Sequence, residues 1–345
     1  MNRQLGWIVA LSIFGGGFAA APAPSAQSAA PATAPGEGST LREADRGVAA
    51  VAYRIAVAGA PLCPERYPVT GMLFHHLAEY RPQDRPLMIE RYRLDRGPGV
   101  LTVLDGSPAA RAGLQAGDVL LTVDGAALPA GSALLRARDW RKLAEASEGQ
   151  IESALQKGPA TIGVLREGRE ISVSLGSIPG CLGRVRLARS NQMNAFATGR
   201  TVIMTTRLLS FLENEDELAV VLAHELSHNI LRHPDRLDEQ GVPKSGFFRA
   251  FGKNAARVWK TEEEADRFGI GLMWRAGYDV EAVIPFWRRF LGKYDSLPQV
   301  FRTHPSLPVR ERITREAIQE LWARHKDVRS DHSSGKARLP TVDWR

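Results

Sequence analysis

The sequence predicts an α+β fold in which a mainly helical domain with a short mixed sheet carries an inserted, β-rich domain. Three observations predict it. The 345 residues exceed what one hydrophobic core usually organises. Between about residues 67 and 178 the texture is short alternating runs broken by glycine turns, whereas from residue 183 it is two short strands, 184–189 and 200–205, followed by helical periodicity. Two cysteines, Cys63 and Cys181, bracket the strand-rich segment. An inserted segment has its two ends close together, and a Cys63–Cys181 disulfide would tie that stem and restrict a loop of more than 100 residues.

Composition bounds the rest. Hydrophobic residues at 44% and charged residues at 24% exclude a disordered, collagenous or coiled-coil chain. No apolar run after residue 21 approaches membrane-spanning length. Two cysteines are too few for a disulfide scaffold or a four-cysteine metal site. Net charge is +7, and residues 301–345 hold ten Lys/Arg against six Asp/Glu. Residues 326–345 therefore read as a polar, solvated basic tail, with peripheral contact to an anionic membrane surface as the alternative. No basic stripe interleaved with aromatics points to nucleic acid, so no nucleic-acid partner is expected.

At the N-terminus Arg3 precedes an uncharged apolar run over residues 7–21. Residues 1–30 read as a signal peptide or an uncleaved N-terminal anchor, and residues 31–40 as an Ala/Pro-rich linker. Export places the body in an oxidising compartment, a periplasm. Residues 41–60 contain the run VAAVAYRIAVA, which predicts a helix leading into Cys63.

Within the middle segment, Gly106-Ser107-Pro108 predicts a turn and residues 109–112 a short helical turn ending at Gly113. Gly117-Asp118 leads into an apolar strand over 119–123, closed by the hairpin-type turn Asp124-Gly125. A long helix is expected within 133–156 and a hairpin over 161–175 around Glu167-Gly168. The run LDGSPAARAGLQAGDVLLTVDGAAL over residues 104–128 closely resembles the PDZ domains of bacterial periplasmic proteases. The resemblance implies a C-terminal peptide ligand, added as a strand to a sheet edge, with its carboxylate held by a glycine-containing loop. Gly71, Met72 and Leu73 stand where that loop should lie; the other reading makes Met72 and Phe74 core strand residues. The neighbours His75 and His76 are expected at the groove rim or in solvent, since neither has a partner at ligand spacing.

The chemistry lies further on, in His224-Glu225-Leu226-Ser227-His228. Histidines at i and i+4 stand one turn apart on one helix face and can share a metal, and the glutamate beside the first can reach a metal-bound water. The acidic start of the run before it and the spacing of Leu218, Val221 and Leu222 place the motif on a buried helix. Leu231 and Pro234 stand where a metzincin would need Gly and His, so that class is excluded. His233 lies one position short and reads as a residue behind a ligand or at the surface. Downstream, Glu262 and Asp266 are four apart in TEEEAD. Glu262 can supply the third ligand while Asp266 accepts the N–H of a ligating histidine.

From residue 190 to 321 the chain resembles the HtpX-like, CAAX-prenyl-protease-like zinc peptidases of family M-48, which are gluzincins. The residues that carry the resemblance are Asn194-Ala195-Phe196-Ala197, HELSH, the E-x-x-A-D run 262–266, Ala276-Gly277-Tyr278-Asp279 and Thr303-His304-Pro305, in the family's order. It implies one Zn2+ per chain on His224, His228 and Glu262, and endopeptidase activity on protein or peptide substrates with Glu225 as general base. It places the substrate backbone along Asn194, Ala195, Phe196 and Ala197. His304 or Arg310 would stabilise the oxyanion, although Arg312 precedes the isoleucine that usually follows the family's arginine. On this reading residues 41–65 are the first helix of the protease domain, 66–180 the PDZ domain and 181–325 the peptidase domain. The polar stretch 237–260 sets the chain apart from polytopic members and makes it similar to the soluble periplasmic ones that act in envelope protein quality control. The competing reading is a catalytically latent PDZ adaptor or assembly factor.

Overall fold

A computed structural model of the chain describes residues 9–10, 35–131, 140–244, 252–292 and 305–325. Helices and sheets coexist in the α+β arrangement, in two compact units. One unit comprises residues 46–185 and 271–278; the other comprises 1–45, 186–270 and 279–345. Among the described residues no helix is long and apolar enough to cross a membrane. Most of the leader, residues 1–8 and 11–34, lies outside the described residues, as does the tail from 326.

A short strand β1, Val9–Ala10, comes first, followed by the helix α1, Pro35–Gly59. The larger part of α1, from Arg46, belongs with the strand-rich unit, where Ala49 joins Leu73 and Leu104 in one apolar cluster with Tyr53 and Leu101 beside it. After Cys63 the chain enters β2, Tyr67–Val69, and leaves through β9, Ile178–Gly180. The two pair antiparallel, Tyr67 opposite Gly180 and Val69 opposite Ile178. Cys63 and Cys181 are bonded just outside this ribbon, with Cα atoms 5.6 Å apart. Because the bond closes a separation of 118 residues, replacing both cysteines by serine is expected to cost about 2–5 kcal/mol. Urea unfolding of the oxidised and Cys-free chains checks this, and equal midpoints would mean that the stem is held without the bond.

Between the stem strands lies a six-stranded sheet. Its order is β3, Met72–His75; β4, Gly99–Val103; β5, Val119–Val123; β7, Ala160–Arg166; and β8, Arg169–Leu175, with the short β6, Ala126–Ala127, paired to β5. Asp124 and Gly125 both take positive φ (48° and 80°), as do Glu167 and Gly168 (49° and 80°), the conformation a two-residue hairpin turn needs. A second helix, α2, Arg85–Tyr92, lies between β3 and β4. The short α3, Pro108–Arg111, is capped by Ser107, whose Oγ accepts from the Ala110 N–H. The long helix α4, Trp140–Leu155, packs Ile151, Ala154 and Leu155 into a core with Phe74, Leu120, Ile162 and Val164. The start of the expected helix, residues 133–139, lies outside the described residues.

His75 and His76 require a correction. Both are buried, not at a rim or in solvent. His75 bonds the Tyr80 hydroxyl at 2.6 Å and stands edge-on to Tyr80 and Tyr92, while Glu79 accepts the His76 N–H at 3.0 Å. Leu77 and Leu94, from the segment between β3 and β4, form a small cluster with Tyr80 and Tyr92, the rings that His75 meets, while His76 stands edge-on to Phe74.

The other unit has a four-stranded sheet in the order β1, β11 (Ala195–Ala197), β12 (Thr201–Thr205) and β10 (Arg184–Ala188). Six α-helices follow among the described residues, the first five being α5, Thr206–Leu209; α6, Glu215–Ile230; α7, His233–Glu239; α8, Gly252–Arg275; and α9, Val283–Gly292. The last is α10, Leu307–Arg324. Helix α6 packs against β11 and β12.

Candidate metal centre

Helix α6 carries the HELSH motif. Asn214 caps it, its Oδ1 accepting from the Glu217 N–H at 3.0 Å, and Glu217 in turn accepts the Glu213 N–H at 2.7 Å. Glu215, Asp216 and Glu217 place negative charge at the N-terminal turn. Every residue from Glu217 to Ile230 is buried, so the helix is held by packing on all sides. At its C-terminal end Asn229 Oδ1 accepts the Gly199 N–H at 2.7 Å, which ties the β11–β12 turn to the same helix.

Helix α8 lies alongside. Glu262, Asp266 and Gly269 recur at four and three residues, hence on one face. A Cβ at Gly269 would meet the Ala223 carbonyl at 3.3 Å, so a glycine here lets the two helices approach closely beside the motif. His224, His228 and Glu262 are buried, and one ligand atom from each lies within 4.8 Å of the others. The Nε2 atoms of the two histidines are 3.2 Å apart, and Glu262 oxygens lie 3.4 and 3.5 Å from them.

The outer contacts orient these groups. His224 Nδ1 is 2.9 Å from Asp266 Oδ1. Arg310, from α10, is buried; its Nε and Nη2 each donate to Asp266 at 2.9 Å, and its guanidinium stacks 3.7 Å over the Trp287 ring. Nη2 of Arg310 also lies 3.3 Å from His224 and 3.6 Å from Glu262. His233 is fully buried behind His228, against Glu264 and Arg236. Glu263 faces outward and pairs with Arg267.

Burial and close charges shift the proton affinities of the groups in this site. Burial pushes the Glu225 carboxyl up to about 8, the Glu262 charge adding to this and His224 opposing it. Both Glu225 carboxylate oxygens are buried with no side-chain hydrogen bond among the described residues, and the one group that eases their charge from the backbone is the N–H of Ala197. Burial and the Arg310 charge disfavour protonated His224, yet Asp266 and Glu262 win and raise it to about 9. Burial also opposes charge on Asp266, but Arg310 and His224 hold it below the usual carboxylate range. Burial lowers His233 to about 4 against the pull of Glu264, so it is neutral at pH 7. Two imidazoles and a carboxylate converging in a buried pocket, with a second buried carboxylate beside them, are a donor set that fits a divalent cation of the zinc type.

The structure brings together His224, Glu225, His228, Glu262, Asp266 and Arg310. His304 lies outside the described residues. Asn194, Ala195, Phe196 and Ala197 lie at or on β11, and β11 pairs antiparallel with Val9–Ala10 on one side and β12 on the other. In the strand-rich unit Gly71 takes φ 72°, and Met72 and Leu73 open β3, the terminal strand of its sheet. Sequence reasoning missed Trp287, Arg236 and the involvement of Glu264. None has a local pattern that marks it, since each reaches the site only through tertiary packing.

A buried helix with two histidines and a glutamate, a neighbouring helix with a third carboxylate and an aspartate behind it, and a sheet beside them define a metallopeptidase domain. Residues 178–258 and 253–318 match the family model described as peptidase family M48, and residues 99–151 match that of a PDZ domain. The chain thus carries an M48 metallopeptidase domain and a PDZ domain. It is 31% identical over 150 residues to the beta-barrel assembly-enhancing protease of Escherichia coli (strain K12), covering 34% of this chain and 31% of that one. It is 29% identical over 190 residues to the mitochondrial metalloendopeptidase OMA1 of Schizosaccharomyces pombe, covering 49% and 56%. It is 51% identical over 59 residues to a protease HtpX homolog of Acidiphilium cryptum (strain JF-5), covering 16% and 20%. The match therefore spans about a third of the length of the beta-barrel assembly-enhancing protease.

Proposed function

We propose that the chain is an exported, periplasmic zinc endopeptidase that cleaves unfolded or misassembled envelope proteins, its PDZ domain capturing substrate C-termini or regulating access. The observation that carries the catalytic part is the convergence of buried His224, His228 and Glu262 beside the buried carboxylate of Glu225. The disulfide and the leader-like N-terminus support an oxidising compartment.

One Zn2+ per chain would be held by His224, His228 and Glu262. When bound it supplies a Lewis acid that acidifies a water and polarises the scissile carbonyl. Glu225 takes the proton of the attacking water and returns it to the leaving amine. Its high proton affinity without metal suits a group that must both accept and release a proton near neutral pH. Asp266 keeps His224 in the Nδ1-protonated tautomer. The substrate backbone adds along Asn194, Ala195, Phe196 and Ala197, in the place on β11 that Val9–Ala10 takes as an antiparallel strand. The donor to the oxyanion is His304 or Arg310, and the fork of Arg310 on Asp266 favours His304, with Arg310 acting through His224. In the PDZ domain the outer side of β3 would receive the chain end, with its carboxylate at Gly71 and the first strand residues Met72 and Leu73.

Zinc content and casein cleavage, measured on the full chain and on Glu262→Ala, test the reading. The expected result is one zinc and cleavage in the wild type, both lost in the variant. One zinc without cleavage in the wild type would favour a latent PDZ adaptor. A chain lacking residues 70–177, assayed with C-terminal peptides, tests the capture role, and unchanged peptide affinity would remove it.

A further inference from the structure

Behind His228 stands a chain of three side chains outside the ligand motif. Nδ1 of His228 is 2.9 Å from Nδ1 of His233, Nε2 of His233 is 3.1 Å from Glu264 Oε2, and Arg236 donates to both Glu264 oxygens at 2.6 and 3.2 Å. Two imidazole nitrogens at hydrogen-bond distance share one proton. The Glu264 carboxylate, doubly engaged by Arg236, accepts and does not donate, so His233 carries its proton on Nε2 and offers a lone pair at Nδ1. The shared proton therefore belongs to His228 Nδ1. That leaves the lone pair of His228 on Nε2, which faces His224 Nε2 at 3.2 Å and Glu262 at 3.5 Å. The reverse arrangement would put a proton on His228 Nε2 and remove it as a ligand.

The backbone places this relay. Helix α6 ends at Ile230, and Arg232 takes the left-handed conformation, φ 55° and ψ 37°. The turn restarts the chain as α7 with His233 folded back against His228, and Arg236, one turn on, meets Glu264 from α8. His224 is oriented directly by the Asp266 carboxylate, whereas His228 reaches its carboxylate through an intervening imidazole.

We propose that His233, Glu264 and Arg236 are positioning residues that fix His228 as an Nδ1-protonated imidazole whose Nε2 lone pair faces His224 and Glu262, where a metal would bind. The proposal rests on the metal-site reading above. It says that a third histidine, which binds no metal itself, sets metal affinity. A merely structural role, joining α6, α7 and α8, would lower stability and leave the metal affinity of the folded chain unchanged.

The test is zinc affinity by competition with a chromophoric chelator, on the full chain, for His233→Ala, Glu264→Ala and Glu264→Gln. The two alanine variants are expected to bind zinc about 10–100-fold more weakly. Glu264→Gln keeps an oxygen that can accept the His233 Nε2–H, so it should recover most of that loss. In the zinc-loaded wild type, 15N NMR should show a protected ring N–H on His228 Nδ1 that exchanges faster in the alanine variants. Glu264 is partly exposed, so its variants keep the test available if His233→Ala does not fold. Wild-type zinc affinity and an unchanged His228 ring signal in folded alanine variants would overturn the relay. If His228→Ala binds zinc as tightly as the wild type, the metal-site reading itself fails, and the relay with it.

Discussion

Glu225→Gln should lose about 10²–10⁴-fold in peptide cleavage while retaining its zinc. The side chain is buried beside the ligands without being one of them, and glutamine keeps its shape but cannot take a proton. The same substitution should change how the metal-free protein responds to pH. Burial raises the Glu225 carboxyl to about 8 from its ordinary 4.5. Between these values the folded state holds a proton that the unfolded chain has released, so stability falls as pH rises through the window. Below it both states are protonated and the penalty vanishes. Glutamine carries no such penalty. The melting temperature of Glu225→Gln, with zinc removed by chelator, should therefore exceed that of the wild type by a margin that widens from about pH 5 to pH 8. A constant margin would show that the glutamate is not desolvated in the folded chain.

Arg310→Ala should cost about 3–5 kcal/mol of stability, the largest single-residue effect expected here. Asp266 lies buried between Arg310 and His224, with Glu262 beside them. Removing the guanidinium leaves these carboxylates without their fixed positive charge and strips the face of Trp287 of its stacking partner. Lysine should recover only part of the loss, because one ammonium cannot reproduce the paired Nε and Nη2 bonds to the two Asp266 oxygens. Denaturant unfolding of the three chains, zinc-loaded and zinc-free, measures this. A loss below about 1 kcal/mol for alanine would place Arg310 among weak surface pairs.

What could be read from the sequence was what is local. HELSH and the Glu262–Asp266 spacing announce themselves because helical periodicity alone decides which side chains share a face. The hairpin turns at Asp124-Gly125 and Glu167-Gly168 are legible for the same reason, since two residues fix the backbone conformation. His233 was harder. It lies five positions after His228, out of helical phase, and only the left-handed Arg232 between them turns it inward. Trp287 and Arg310 reach the centre from helices 63 and 86 residues beyond His224, and no short pattern encodes that contact. His75 is buried against Tyr80 and Tyr92 and His76 against Phe74, contacts that no spacing of the two histidines marks, so the pair read as exposed. Likewise the run VAAVAYRIAVA gave its helix, while its grouping with the strand-rich unit depends on Leu73 and Leu104, far along the chain.

The bond between Cys63 and Cys181 also bears on how the chain matures. With two cysteines in the whole sequence there is a single intramolecular pairing, so oxidative folding requires an oxidant but no isomerase to unscramble wrong partners. The thiols are far apart along the chain, and the strand ribbon of Tyr67–Val69 with Ile178–Gly180 is what brings them together. Oxidation is therefore a checkpoint: it records that the inserted domain has already collapsed and delivered both ends to the same place. A chain whose insertion stays open keeps two reactive thiols, and its route to oxidation is a mixed disulfide with another molecule, which makes the failed product visible as a covalent dimer.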